Sequence, residues 1–411
     1  LSNCYGSALK NIYRGGKEMR NVAVIGCGHS KFCFNSPLTS VELMSEVAFD
    51  AMNEAGVKPQ DIQATFIGNV LGDFEEGQGM VQSFFANDIG AFGVASSRFE
   101  GACASGSMAI RDAMMWVSSG YYDIVIAGGV ERATAFSSAL GTRTFAMFGD
   151  AHYEFPSGFT FPSVFALYAH LYSSKYGIPL PQLKEQMAAV SVQSHKWGMK
   201  NPNAQFHKEI TSEEVLKSFM VASPIQLHDA CPFTDGAACV VIASEDAVKK
   251  LGIKKPVWFK GIGQASSGKL SSQYKFLPRI RARELACGQS YSMSGMSPKD
   301  IDFVELHDCF SIAAMIAAEG LGFFDYGTSG EAWLRGDCDM GGKIPINLSG
   351  GLKAKGHPIG ATGGSQCVEL TRQLRGDMVA EGRQVEGAKV GLMDTLGGDG
   401  VLVSLIMSNE K

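Results

Sequence analysis

The sequence predicts an α/β protein built from two like halves, and three observations carry that prediction. AMNEAGVKPQDIQATFIGNV at 51–70 is echoed by SYSMSGMSPKDIDFVELHDC at 290–309: a helical run, a helix-ending Gly, a Pro-containing turn, Asp-Ile, then a strand. SSRFEGACASGSMAIRDAMMWV at 96–117 and PINLSGGLKAKGHPIGATGGSQCVELTRQL at 345–374 each pass from a short strand through small residues into a helix. Each helix is followed by a buried strand ending in glycines, DIVIAGGVE in one half and KVGLMDTLGGDG in the other. Strands separated by helical patterns need crossover connections, hence mixed or parallel sheets with helices on their faces. Reactive groups in such sheets sit at the carboxyl ends of strands.

Taken in chain order, the polar and patternless residues before Met19 read as an upstream extension or a leader remnant. The extension is placed at 1–19, the N-terminal half at 20–250 and the C-terminal half at 251–411. Within the first half, residues 131–225 break the repeat. They are rich in Phe and Tyr (MFGDAHYEFPSGFTFPSVFALYAHLYSSKYG) and then polar, and an insertion of that size reads as a lid or binding region. DACPFTDGAACVVIASE then resumes the strand pattern.

Composition excludes several classes. With 411 residues, 45% hydrophobic and 19% charged, the chain is globular and large enough for more than one unit. Its 36 basic and 41 acidic residues are scattered, so there is no basic stripe for nucleic acid. No apolar stretch reaches the roughly 18 to 20 residues of a membrane span. The ten cysteines lie far apart without a CxxC pair, as expected for free thiols in the cytoplasm.

Three stretches carry chemistry. In FEGACASGSMAIRD, Cys103 opens a helix among small neighbours that let a ligand reach the sulfur, and the helix N-terminus favours thiolate. The same pattern also describes a buried cysteine in a tight turn. In SGGLKAKGHPIGATGG, His357 lies at the equivalent point of the second repeat, so two halves packed about a pseudo-twofold axis would bring it to Cys103. A Cys activated by a His is a route to covalent acyl transfer. A plain polar loop is the alternative. In HDCF, adjacent His307, Asp308 and Cys309 alternate in direction and lack a second ligand pair, so zinc is not expected. GxxxxGK[ST] is absent and GCGHSK lacks the third Gly of a dinucleotide fingerprint.

GACASGS, HDCF, GGLKAKGHPIGATG, DGAA and TLGGDG, in this order from about residue 20 to 408, together resemble the thiolases. HDCF is similar to the sterol carrier protein type and its bacterial and archaeal relatives, here without a lipid-carrier domain. The resemblance implies a five-layered αβαβα fold, a homodimer or dimer of dimers, and coenzyme A as cosubstrate without metal or covalent cofactor. It implies Cys103 as nucleophile, His357 as its activator, His307 as an oxyanion holder, and the amides of Cys103 and Gly397 as a second oxyanion hole. Many thiolases carry a second catalytic cysteine where this chain has Thr395, and Cys309 is the available substitute. Coenzyme A is expected under the 131–225 insertion, with Cys231 and Phe233 beside its pantetheine arm. His195, Lys196 and Arg143 are candidates for its nucleotide, and Phe310 for the acyl pocket. Some bacterial members that this chain resembles associate with a small protein combining a zinc ribbon and an OB-fold, and the resemblance makes such a partner an expectation here. The expected reaction is cleavage of a 3-oxoacyl-CoA by CoA, or the reverse Claisen condensation, on a bulky, branched or aromatic substrate such as benzoylsuccinyl-CoA. A ketoacyl-synthase-like enzyme and a silent thiolase-like scaffold are the rival readings.

Overall fold

The computed structural model describes residues 19–411 apart from 136, 269 and 399. The expectation for residues 1–18 lies outside them. The first half runs β1 (Val22–His29), α1 (Ser40–Ala55), β2 (Ala64–Gly68), α2 (Val81–Asp88), β3 (Ala95–Phe99), α3 (Ser105–Ser118) and β4 (Ile124–Arg132). An insertion follows with α4 (Ser138–Phe145), α5 (Phe161–Tyr176), α6 (Leu180–Gly198) and a hairpin of β5 (Met220–Ala222) and β6 (Ile225–Gln226). The chain rejoins the sheet at β7 (Asp235–Ser244). The second half comprises β8 (Val257–Ser266), α7 (Arg281–Ser294), β9 (Phe303–Glu305), α8 (Ser311–Gly320), α9 (Thr362–Arg375), β10 (Val390–Gly397) and β11 (Val401–Ser408).

The repeat seen in the sequence is a repeat in space. The sheet order β3-β2-β4-β7-β1-β8-β11-β10-β9 is the same pattern read outward from its middle, with β1 and β8 as equivalent strands. These two pair antiparallel at Ala23 with Trp258 and Val24 with Val257, which joins the halves into one nine-stranded sheet. The counterpart of β3 is reduced to a parallel bridge between Val304 and Ile346. Helices α1 and α7 both end at a left-handed glycine, Gly56 at φ 68° and Gly295 at φ 69°, followed by the turns Pro59–Asp61 and Pro298–Asp300. A side chain other than glycine is strained at such a φ, so the glycine stops each helix.

Alternation along the strands builds the layers. Val24, Val125, Val240 and Val403 face α3 and α9 between the two parts of the sheet. Ile25, Ile126 and Val241 face α1 and α2, while Leu392, Leu402 and Ile406 face α7 and α8. This period-two alternation gives helix, sheet, helix, sheet and helix in succession. Helix α9 is buried nearly all round because it lies between sheet layers. The central helices meet through small residues: a Cβ on Gly106 would lie 2.6 Å from Gly360 O, and one on Gly363 2.1 Å from Ser107 Oγ. That close approach brings the two turns ahead of α3 and α9 together.

Candidate active site

Cys103 and His357 occupy those two turns, and His357 Nε2 lies 3.1 Å from Cys103 Sγ. The Cys103 turn is fastened locally. Ser105 Oγ accepts from Gly101 N at 2.9 Å and donates to Ala102 O at 2.6 Å, while Glu100 accepts from Ala102 N at 2.8 Å. Ala102 is held at φ 48°, a left-handed backbone costing roughly 1–3 kcal/mol that points to a functional constraint.

His357 is aimed by two threonines. Its backbone N–H donates to Thr234 Oγ1 at 2.9 Å, and its Nδ1 lies 2.6 Å from Thr362 Oγ1. The single Thr362 hydroxyl proton goes to Pro358 O at 3.1 Å, so Thr362 accepts from Nδ1–H. This network assigns the tautomer that leaves an Nε2 lone pair facing the sulfur.

Burial sets the resting charge. It lowers His357 to about 3 and His307 well below the ordinary histidine range, with His357 and Arg283 adding to the latter shift. It pushes Cys103 up, reinforced by Cys231 and Glu131 and opposed by the backbone amides of Cys103 and Gly398. The free enzyme therefore holds a neutral thiol and a neutral imidazole, whereas the helix N-terminus alone suggests a thiolate. Burial outweighs the helix end here. Gly398, whose amide eases the Cys103 thiol down beside that of Cys103 itself, lines the cavity, whereas the expected Gly397 ends β10, where an added Cβ would lie 2.0 Å from Gly101 O.

His307 stands edge-on to His357, ring centroids 5.1 Å apart at 81°, and its Nδ1 is buried without a partner. The reactive atoms of Cys103, His307 and His357 lie within 4.8 Å of one another, so one small acyl group can touch all three. Cys309 lines the same cavity, and its carbonyl accepts from Cys231 N at 2.9 Å. Burial, then Cys231 and Cys103, push its thiol well up and keep its proton in place. Asp308 turns away, accepting from Leu352 N at 2.7 Å and bracing the loop that leads to His357. Thr395 is fully engaged, accepting from Ser107 Oγ at 2.6 Å and donating to Gln366 Oε1 at 2.5 Å, and it does not line the cavity.

The cavity measures about 800 Å³, counting its part open to solvent. Six phenylalanines wall it: Phe145, Phe148, Phe161 and Phe165 from the insertion, with Phe233 and Phe310. Phe165 stacks on Phe310 at 4.6 Å and Phe145 meets Phe233 at 5.1 Å. Cys231 also lines it, so Cys103, His307, His357, Cys309, Cys231, Phe233 and Phe310 are brought together. Arg143 is exposed on α4 beside the lining residue Thr142. His195 and Lys196 on α6 do not line the cavity. His195 Nδ1 bonds Lys208 O at 2.8 Å, and Lys196 pairs with Asp339 at 2.5 Å.

Two supporting residues escaped the sequence reading. Glu131, at the end of β4, accepts from Val70 N, Leu71 N and Gly360 N at 3.0, 2.9 and 3.2 Å, which ties the loop after β2 to the His357 loop. Burial raises its carboxyl to about 8 against those N–H donors. Lys353 is buried with Nζ donating to His228 O at 2.6 Å, lowered by burial against the pull of Asp229, Asp308, Cys231 and Cys309. The signals were a Glu closing an apolar strand and a lysine among small residues.

Two like α/β halves with a Cys–His pair at their junction suit covalent acyl transfer. Comparison with known proteins narrows the class. Residues 22–246 match the thiolase N-terminal domain and 263–407 the thiolase C-terminal domain-like family. An acetyl-CoA acetyltransferase of Methanothermobacter thermautotrophicus is 40% identical over 93% of this chain and 97% of its own length. Sterol carrier protein 2 of Bos taurus is 34% identical over 94% of this chain and 72% of its own. The benzoylsuccinyl-CoA thiolase subunit BbsB of Thauera aromatica is 34% identical over 90% and 92%. A solved structure described as an Ltp2-ChsH2(DUF35) aldolase shares the fold with TM-score 0.80 at 22% identity, over 96% of this chain and all of that one. The chain belongs to the thiolase family and is an acyltransferase.

Proposed function

We propose that the enzyme cleaves a 3-oxoacyl-CoA with coenzyme A, or runs the reverse Claisen condensation, through an acyl group on Cys103. The 3.1 Å approach of His357 Nε2 to Cys103 Sγ carries this reading. His357 takes the thiol proton as sulfur attacks C3, and the amides of Cys103 and Gly398 hold the oxyanion. The C2–C3 bond breaks, the departing enolate oxygen leans on the N–H groups of His307 and His357, and the Cys309 thiol protonates C2. In the second half, CoA gives its thiol proton to the Cys309 thiolate and attacks the acyl carbon. Cys103 leaves and recovers its proton from His357. Each oxyanion donor contributes about 3–4 kcal/mol to such a step. The scheme uses coenzyme A as cosubstrate and calls for no metal or covalent cofactor.

Six phenylalanines around the site support a bulky, branched or aromatic acyl group, and likeness to a benzoylsuccinyl-CoA thiolase subunit points the same way. The pantetheine arm is assigned to the same cavity beside Cys231 and Phe233, and Arg143 is the nearest of the proposed cations for the nucleotide. The exposed edge strand β3 and the surface aromatics Trp116 and Tyr121 support a homodimer, itself able to pair into a dimer of dimers. The Ltp2-ChsH2(DUF35) assembly supports a small partner protein, for which a zinc ribbon and OB-fold remain the expectation. All nine described cysteines are free thiols, in keeping with the cytoplasm. Among the described residues no helix is long and apolar enough to cross a membrane.

A thiolysis panel from acetoacetyl-CoA to aryl 3-oxoacyl-CoAs tests the reading. CoA-dependent cleavage is the expected result. Strict dependence on malonyl thioesters in condensation would instead make the protein a ketoacyl-synthase-like enzyme.

A further inference from the structure

The two histidines of the site are held in different ways. His357 is oriented through its ring, by the bond of Nδ1 to Thr362 Oγ1 at 2.6 Å. His307 Nδ1 is buried without a partner, so the ring has no such anchor on that side and its placement depends on the backbone that carries it.

That backbone lacks a full neighbouring strand. In the first half Ile67, the repeat's equivalent of Leu306, pairs with Arg98 in the parallel ladder of β2 and β3, which runs on to Gly68 and Phe99. In the second half the ladder is one bridge long: Val304 N–H donates to Pro345 O at 3.0 Å, and Asn347 N–H donates to Val304 O at 2.8 Å. The next rung would join Leu306 to the carbonyl of Asn347 and the amide of Ser349. Both are engaged elsewhere, because Asn347 O accepts from Gly350 N at 3.0 Å and Ser349 N donates to Glu305 Oε1 at 3.3 Å. The Asn347 side chain takes their place. Its Oδ1 accepts from Leu306 N at 2.7 Å and its Nδ2 donates to Leu306 O at 3.1 Å. Its backbone meanwhile turns at φ 52°, a left-handed conformation that Asn adopts more readily than most residues, and leads off into the loop of His357. One buried residue thus fixes the strand end before His307 and begins the loop that carries His357.

The geometry points to Asn347 as the positioning residue that sets the spacing of His307 from His357, the pair assigned to the enolate oxygen. This inference rests on the thiolase reading above. In that reading the acyl oxyanion is held by other donors, the amides of Cys103 and Gly398. Loss of the Asn347 carboxamide should therefore weigh on cleavage of the C2–C3 bond and spare transfer of the acyl group between Cys103 and CoA. Asp308, which accepts from Leu352 N, is a second tie between the same two loops, so the displacement is partial.

Asn347→Gly tests this, because it removes the carboxamide and leaves a residue at ease at φ 52°. The test measures kcat and KM for thiolysis of 3-oxobutanoyl-CoA, beside the rate at which the acetyl group of acetyl-CoA exchanges into isotopically labelled CoA. The exchange needs Cys103 but breaks no carbon–carbon bond. The kcat for thiolysis is expected to fall about 10- to 100-fold, the upper figure being what a misplacement of about 1 Å can cost. KM should change little, and acetyl exchange should stay within a few-fold of wild type. An equal fall in both reactions, or no fall in thiolysis, overturns the inference and leaves the thiolase reading intact. If Asn347→Gly does not fold, Asn347→Asp, which keeps an acceptor for Leu306 N, is read by the same ratio of the two rates, with the same direction expected. If wild type catalyses neither reaction, the thiolase reading fails and the inference falls with it.

Discussion

Thr362 Oγ1 accepts from His357 Nδ1 at 2.6 Å, and that one contact decides which ring nitrogen of His357 faces Cys103. Thr362→Val removes the acceptor at nearly constant volume. It is expected to lower kcat by about 10- to 100-fold, the range seen when the partner that orients a functional histidine is lost. Thr362→Ser should recover most of the activity. Equal kcat for Val and Ser would mean that His357 is oriented some other way.

Cys309 is assigned the proton and Thr395 is not. Cys309→Ala is expected to reduce kcat by about 10²- to 10⁴-fold, the usual contribution of a positioned acid. Normal turnover in this variant would place the acid elsewhere and remove the basis for grouping the site with the HDCF type.

Thr395→Ala serves as the contrasting case. Its hydroxyl bridges Ser107 and Gln366 inside the protein, so the expected loss is about 1–3 kcal/mol of stability, with kcat within a few-fold of wild type. Chemical denaturation and steady-state kinetics check the two halves of this statement. A kcat loss as large as that of Cys309→Ala would put the threonine in the chemistry.

The pH profile follows from burial. His357 is lowered to about 3, so the free enzyme keeps its imidazole neutral, and able to accept a proton, throughout the range where an exposed histidine would already be charged. As pH falls, kcat/KM for the free enzyme should therefore stay level through 6.5 and decline only well below it. An acid limb centred near 6.5 would show that His357 titrates as an exposed residue.

Much of this site was legible because the chain states its design twice. Gly56 with Pro59 and Gly295 with Pro298 mark equivalent helix ends, and matching the two copies puts Cys103 opposite His357 before any coordinate is known. What stayed hidden depends on packing across the halves. Glu131 serves both repeats through Val70, Leu71 and Gly360, contacts that no local pattern encodes. The choice of Gly398 over Gly397 turns on which of two adjacent amides acts on the Cys103 thiol. The resting thiol of Cys103 reflects how much water the surrounding loops exclude, whereas the local sequence displays only the helix end. The five layers were expected, but their joining into one sheet rests on the short pairing of Ala23 and Val24 with Trp258 and Val257.

Glu131→Ala tests that hidden support. Three backbone N–H donors would lose their acceptor in the interior, which costs about 1–3 kcal/mol each when left unmet. Expected results are a lowered Tm and a reduced kcat with a smaller change in KM, because the His357 loop is displaced from Cys103. A Tm equal to that of wild type would mean that the carboxyl does not tie the two loops.

The most direct measurement is mass spectrometry of the acyl-enzyme trapped by acid quench after mixing with acetoacetyl-CoA in the absence of free CoA. An acetyl group on the peptide containing Cys103, released by added CoA and missing from Cys103→Ala, is the result expected here. An acetyl group on Cys231 or Cys309, or labelling that survives Cys103→Ala, would contradict it.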